Sequence, residues 1–328
     1  MDLLFLLFVL LLILGAEFVN GWTDAANSIA TVVSTRVLSP KTAVILATTL
    51  NIAGTFSGLA VANTIGKDIL RADLISIATL AAAMITIIVW STIAWKFGLP
   101  TSESHALISG LTGAGLATGG FEALVWTGWQ KVLFGLFFST FFGFGLASII
   151  FIAITWMCKD VPISRARRLF GKLQIISASF MAYGHGSNDG QKFIGAFALA
   201  LLLGGWYSEF IVPWWVIILC ALTMGIGTSI GGWKIIKTMG TRLAKLEPQH
   251  GFAAETGAAL SIEIASRFGI PLSTTHTIST AIMGVGATHG LKKIRWRVAG
   301  RIVAAWILTF PLCTLSAFLI TKLFMWVQ

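Results

Sequence analysis

The sequence is poor in charge. Asp, Glu, Lys and Arg make up 11% of its 328 residues, against roughly 25% in an ordinary soluble domain. So little charge cannot cover a water-facing surface, and a soluble globular fold is excluded. Cysteine is scarce as well: Cys158, Cys220 and Cys313 stand far apart, in or beside apolar runs. They form neither a disulfide framework nor a CxxC metal pattern, and packing as small buried hydrophobes is their simplest use. No nucleic-acid-binding module is present, although Lys and Arg outnumber Asp and Glu by 23 to 13. A signal peptide is missing too. Leu3–Leu14 lacks a basic n-region, and the apolar character continues past it without an A-x-A-like cleavage site. It reads instead as the first membrane helix. No linker or low-complexity tail sets off a soluble domain.

What is present is apolar: 56% of the residues are hydrophobic. Several runs reach the roughly 20 residues needed to cross a bilayer. Membrane segments are expected at 2–35 (interrupted near Gly21–Asn27), 41–63, 74–97, 101–118 and 131–157. A basic stretch with Lys159, Arg165, Arg167, Arg168 and Lys172 follows. A second series is expected at 173–203 (interrupted near Gly184–Lys192), 213–233, 251–268, 272–289 and 298–326. The chain divides accordingly into a first membrane repeat (1–157), a short basic cytoplasmic loop (158–172) and a second, inverted repeat (173–328).

The basic loops Arg36–Lys41, Lys159–Lys172, Lys234–Lys245 and Lys292–Arg297 alternate with the acidic loops 119–129 and 204–212. With the basic loops in the cytoplasm, both termini lie outside a cell membrane that the chain crosses many times. Each half then makes five passes, an odd number, so the second half enters from the opposite face. The expected fold class is an all-α polytopic membrane protein. Its two five-segment halves form an inverted-topology repeat with discontinuous helices or re-entrant hairpins. Segments 74–118 and 251–289 fit either full crossings or hairpins.

Two motifs occur twice. The first reads F-G-L-P-T-S-E-S-H from Phe97 to His105 and F-G-I-P-L-S-T-T-H from Phe268 to His276, at a constant offset of 171 residues. Gly-x-Pro is expected to end one helix and start the next, with Pro near the first helical position. That places Thr101, Ser102 and Ser104 in one copy, and Ser273, Thr274 and Thr275 in the other, at a helix start. Hydroxyls, unpaired backbone N–H groups and the positive end of the helix dipole would converge there on a tetrahedral oxyanion. A plain N-cap is the structural alternative.

The second motif reads G-W-T-D-A-A-N at Gly21–Asn27 and G-S-N-D-G-Q-K at Gly186–Lys192. Asp24 aligns with Asp189, Thr23 with Asn188 and Asn27 with Lys192. Carboxylates at membrane depth are functional candidates, and their oxygens with freed carbonyls suit a hard cation. The alternative is an interhelical hydrogen-bond network. Glu255, among small residues inside a span, is a candidate proton or cation carrier. Glu17 and Asn51 either line the same cavity or pair with neighbours. His105, His185 and His276 lack the spacing of a closed metal site.

These four motifs, in this order, resemble those of the inorganic phosphate transporter (PiT) family, closest to its short bacterial low-affinity permeases. The likeness covers nearly the whole chain, and Gly225–Gly240 also looks like the family's second half. It implies an inverted-repeat secondary transporter that symports phosphate with a cation, Na⁺ or H⁺. By resemblance, Thr101, Ser102, Ser104, Ser273, Thr274 and Thr275 contact phosphate, and Asp24, Asn27, Asn188 and Asp189 contact the cation. Glu255 matches an acidic position tied to transport. Thr23 departs from the Asn often found there, which weakens one oxygen donor of the first cation site. The partners are then phosphate, Na⁺ or H⁺ and the lipid bilayer; no nucleic acid is involved, no cofactor is needed, and a homodimer is compatible.

Two rivals follow. The same fold could carry sulfate or a neutral metal–phosphate complex; phosphate, which is protonated at neutral pH, asks for an acceptor such as Glu103 or Glu255. A membrane-embedded phosphoesterase would need a nucleophile beside a base. Ser102–His105 and Ser273–His276 have a suitable spacing, but no Asp follows to orient either His.

Overall fold

A computed structural model describes residues 3–288 and 290–327. Long helices dominate, and no strand forms among the described residues beyond an isolated bridge between Leu70 and Leu124. The first half comprises α1 (Leu3–Ser34), α2 (Pro40–Thr55), α3 (Ala60–Asn63, continued by a wide π turn to Asp68), α4 (Ile77–Lys96), α5 (Glu103–Gly119) and α6 (Trp126–Met157). The second comprises α7 (Ile163–His185), a π turn at Gly186–Gly190, α8 (Gln191–Leu203), α9 (Trp214–Ile230), α10 (Trp233–Lys237, continued by a π turn to Leu243), α11 (Pro248–Arg267), α12 (Thr274–Thr288) and α13 (Trp296–Val327).

The halves repeat element by element. Helices α4 and α11 are both 20 residues long, and α6 and α13 both 32. The spans expected at 41–63 and 213–233 are each bent, by 65° between α2 and α3 and by 59° between α9 and α10. Among the described residues, four helices (α1, α4, α6 and α13) are long and apolar enough to cross a bilayer, and the two bent pairs would add two spans. Helices α5 and α12, at 17 and 15 residues, are too short to cross alone, and most of their residues face protein, where polar and small side chains are tolerated. Bulky side chains such as Phe134, Phe137 and Phe141 of α6 lie exposed on the outer surface.

Three sequence expectations are corrected. First, α1 runs unbroken through Gly21–Asn27. Gly21 serves packing rather than unwinding: a Cβ there would run into the Met224 carbonyl of α9. Only the second copy departs from α-helix, and only to a π turn. Second, α7 begins at Ile163, so Arg165, Arg167, Arg168 and Lys172 ride on its first turns rather than in a loop. Third, Pro100 precedes the N-cap Ser102 of α5 instead of sitting at the first helical position, so Thr101 and Ser102 lie just before the helix.

The last helices are exchanged between the halves. Helix α13 packs on the α4–α5 hairpin and α6 on the α11–α12 hairpin. Glycines permit both contacts: a Cβ on Gly113 would strike the Thr314 backbone, and one on Gly284 the Phe144 backbone. Two apolar cores result. One gathers Ile29, Val32, Met181, Met239, Ile262 and Trp306, with Val37, Leu38 and Leu246 beside the basic turns at its outer end. The other gathers Leu6, Ile13, Leu80, Leu107, Phe197 and Val216, with Leu124 and Phe210 beside the acidic loops. Between them lie the polar stretches Glu17–Asn27 of α1 and His185–Lys192.

Candidate functional site

Each hairpin turns at a glycine. Gly98 and Gly269 have φ of 64° and 66°, which only glycine adopts without strain. Each follows the last helical turn as a left-handed C-terminal cap: Leu99 N–H donates to Ala94 O at 3.0 Å, and Ile270 N–H to Ala265 O at 2.9 Å. Three residues on, the Ser102 hydroxyl accepts from His105 N–H at 3.2 Å and the Ser273 hydroxyl from His276 N–H at 3.1 Å. Each tip is braced by the other half. Thr238 donates to Gly98 O at 2.9 Å, and Thr64 to Gly269 O at 2.7 Å.

The two tips meet in the polar layer. Ser104 donates to Leu272 O at 2.8 Å. His105 and His276 lie edge to face, 4.4 Å between ring centres, and His276 stacks on Trp306 at 3.7 Å. Neither nitrogen of the buried His276, nor Nδ1 of His105, has a hydrogen-bond partner among the described residues. Ser102 and Ser273 engage backbone N–H groups, as helix caps, rather than an imidazole.

Both aspartates point at one tip. Thr274 donates to Asp189 Oδ2 at 2.8 Å, and Thr275 lies 3.3 and 3.4 Å from the carboxylate oxygens of Asp24. Asn27 donates to Thr274 at 3.2 Å and Thr275 at 2.9 Å, and its Oδ1 has no partner. Asp24, Asp189 and His185 each present a ligand atom within 4.8 Å of the others. The residues expected to touch an anion thus already touch those expected to touch a cation.

Asn188 turns away from this cluster. Its Nδ2 donates to Ser266 at 2.8 Å and to Ile270 O at 3.2 Å, and its buried Oδ1 has no partner. Glu255 is also apart. Thr31, Ser177 and Gln174 surround it, in the half of the molecule with the basic turns. Asn51 donates to Thr228 at 3.0 Å and lies 3.2 Å from His185 Nδ1, while His185 Nε2 lies 3.2 Å from Asp189. Asn51 therefore orients the imidazole that faces Asp189. Glu17 is buried beside Asn20, 3.3 Å away.

Two further participants lie outside the binding sets read from the sequence, where Glu103 enters only as an acceptor for a phosphate proton. Glu103 is buried at the first tip and accepts from Ser91 and, at 3.0 Å, from Thr23. Lys192 is buried and donates to Asp189, Ser104 and, at 2.9 Å, Leu272 O. Its alignment with Asn27 was the available signal.

A polar cavity of about 370 Å³ lies beside the second tip, lined by Ser57, Tyr183, Ser187, Gln191 and Ser266. By the repeat's register, Ser187 and Ser266 correspond to Trp22 and Trp95. Those two rings pack at 4.4 Å, with Lys234 Nζ 4.6 Å above Trp95. Small hydroxyls leave one side open, and tryptophans fill the other.

Fold and site together define a multi-pass membrane protein with a duplicated, centrally buried polar site. The model of the Phosphate transporter family matches twice, at residues 20–167 and 159–317. A probable low-affinity inorganic phosphate transporter of Rhizobium meliloti is 46% identical over 91% of this chain and 90% of its own. One from Bacillus subtilis is 40% identical over 97% of each chain. A solved structure described as the sodium-dependent phosphate transporter shares the fold, with a TM-score of 0.82 at 22% identity, over 99% of this chain and all of that one. The chain belongs to the phosphate transporter family.

Proposed function

We propose that this protein carries inorganic phosphate into the cell in symport with a cation, through the site where the two hairpin tips meet. The observation that carries the reading is the pairing of Thr274 with Asp189 and of Thr275 with Asp24. A cation bound at the carboxylates takes over their oxygens and frees both hydroxyl protons. Those hydroxyls, with Thr101, Ser102, Ser104 and Ser273, then turn to phosphate at the two helix starts. The cation also offsets the anion's charge; at 4 Å and an effective dielectric near 20, such an attraction is about 4 kcal/mol.

Asp24, Asn27, Asn188 and Asp189 form the cation-binding set. Asn188 joins it by swinging from Ser266, a move its unpartnered Oδ1 favours. The oxygen-rich donors suit Na⁺, and the sodium-dependent transporter of the same fold supports that choice over H⁺. Glu255, which has no cationic partner among the described residues, is the group suited to carry a proton. With the basic turns in the cytoplasm both termini lie outside. The cavity beside the second tip then opens outward, and Trp22 and Trp95 close the inner side.

Uptake of labelled phosphate into proteoliposomes tests this. An inward Na⁺ or H⁺ gradient should drive accumulation that excess sulfate does not suppress. Suppression by sulfate would instead identify a sulfate permease, and dependence on a divalent metal would identify a metal–phosphate carrier.

A further inference from the structure

The two copies of the aspartate motif differ in one charge. Asp24 has Asn27 three residues on, and Asp189 has Lys192. The contacts correspond as well: Asn27 bonds Thr275, and Lys192 bonds Ser104, the residue in the same position of the other tip. The Lys192 ammonium has three donors. They meet a carboxylate oxygen of Asp189, the Ser104 hydroxyl and the Leu272 carbonyl. Carboxylate, hydroxyl and carbonyl are the ligand types a small hard cation takes. They come from both tips and from the aspartate helix, as the ligands of a shared ion would. At 1% exposure the ammonium is closed off from bulk solvent. Asp24 has no Lys or Arg partner among the described residues and lies close to a second acid, Glu103, whose hydrogen-bond partner Thr23 is its chain neighbour.

We infer that Lys192 is a built-in cation. It holds the place beside Asp189 that an exchangeable cation takes beside Asp24, so each phosphate is carried with one cation fewer than in a chain with Asn at both positions. This rests on the transport reading above. A tethered charge neutralises Asp189 and joins the two tips, but it cannot leave with the anion. The second half thus closes the site without adding to the charge moved, and the exchangeable ion binds at Asp24, sharing only the Asp189 oxygen that Lys192 leaves to Thr274.

Two measurements on the purified full-length chain test this. In thermal unfolding, Lys192→Asn should melt several degrees below the wild type in choline chloride. NaCl should restore more of that loss than it adds to the wild type. In proteoliposomes, labelled Na⁺ and phosphate fluxes should show the Na⁺-to-phosphate ratio rising by one in the variant. An unchanged Na⁺ response and an unchanged ratio would overturn the inference. So would a variant that fails to fold in either salt while Asp189→Asn/Lys192→Asn unfolds cooperatively, since Lys192 would then be a structural partner no ion replaces. A wild type with no gradient-driven uptake would break the transport reading, and the melting comparison would still stand on its own.

Discussion

The two halves of this molecule share a backbone plan and differ in where they place polarity. Beside the first tip stand Trp22 and Trp95; beside the second, Ser187 and Ser266. In the second half Glu255 draws hydrogen bonds from Gln174, Ser177 and Thr31. The positions that the repeat pairs with Glu255, Gln174, Ser177 and Thr31 are Met84, Val9, Leu12 and Ala196, all in or against an apolar core. The repeat therefore supplies geometry, and the departures from it supply asymmetry. Symmetric backbones bring two tips to one point. Unlike side chains open one side, seal the other, and charge the two aspartates differently.

That comparison can be broken most severely at the aspartates. Asp189→Asn leaves Lys192 as an uncompensated buried charge, a loss of about 3–5 kcal/mol, visible as a large fall in thermal stability. Asp24→Asn removes no salt bridge. It should leave the melting temperature nearly unchanged while reducing cation-driven uptake about 10–100-fold, as loss of a metal-site group does. Equal stability losses in the two variants would erase the distinction.

A smaller effect tests the symmetric part. A Cβ on Gly21 would press on the Met224 carbonyl, and one on Gly186 on the Asn51 carbonyl at the corresponding place. Gly21→Ala and Gly186→Ala should each cost about 1–3 kcal/mol by overpacking and agree within about 0.5 kcal/mol in denaturation experiments. Smaller still is Glu255→Gln, which keeps a hydrogen-bonding side chain but cannot titrate. It should cost about 0.5–1.5 kcal/mol in stability and flatten the pH dependence of uptake in proteoliposomes, leaving its Na⁺ dependence intact.

The repeat was legible because its motifs align without gaps, from Phe97 against Phe268 to Gly115 against Gly286. Gly-x-Pro followed by hydroxyls announced both tips, and the structure makes helix starts of them. The expected unwinding at Gly21–Asn27 did not occur, because small residues serve close helix packing as readily as they permit a break. The bends after Thr55 and Ile230 could not be read from hydropathy, since both legs are apolar. The exchange of α6 and α13 between hairpins was hidden for a similar reason: lipid-facing and protein-facing apolar residues look alike in sequence. Lys192 was visible as a mismatch, but its three partners come from residues 104, 189 and 272, which only the fold brings together.

The central claim is that anion hydroxyls and cation carboxylates share protons at one tip. Phosphate affinity of the purified chain, measured with and without the coupling cation, tests it most directly. In the wild type the cation should tighten phosphate binding about 5–150-fold, the usual range of linked sites. In Thr274→Val/Thr275→Val it should change that affinity hardly at all. An equal cation effect in both proteins would contradict the account.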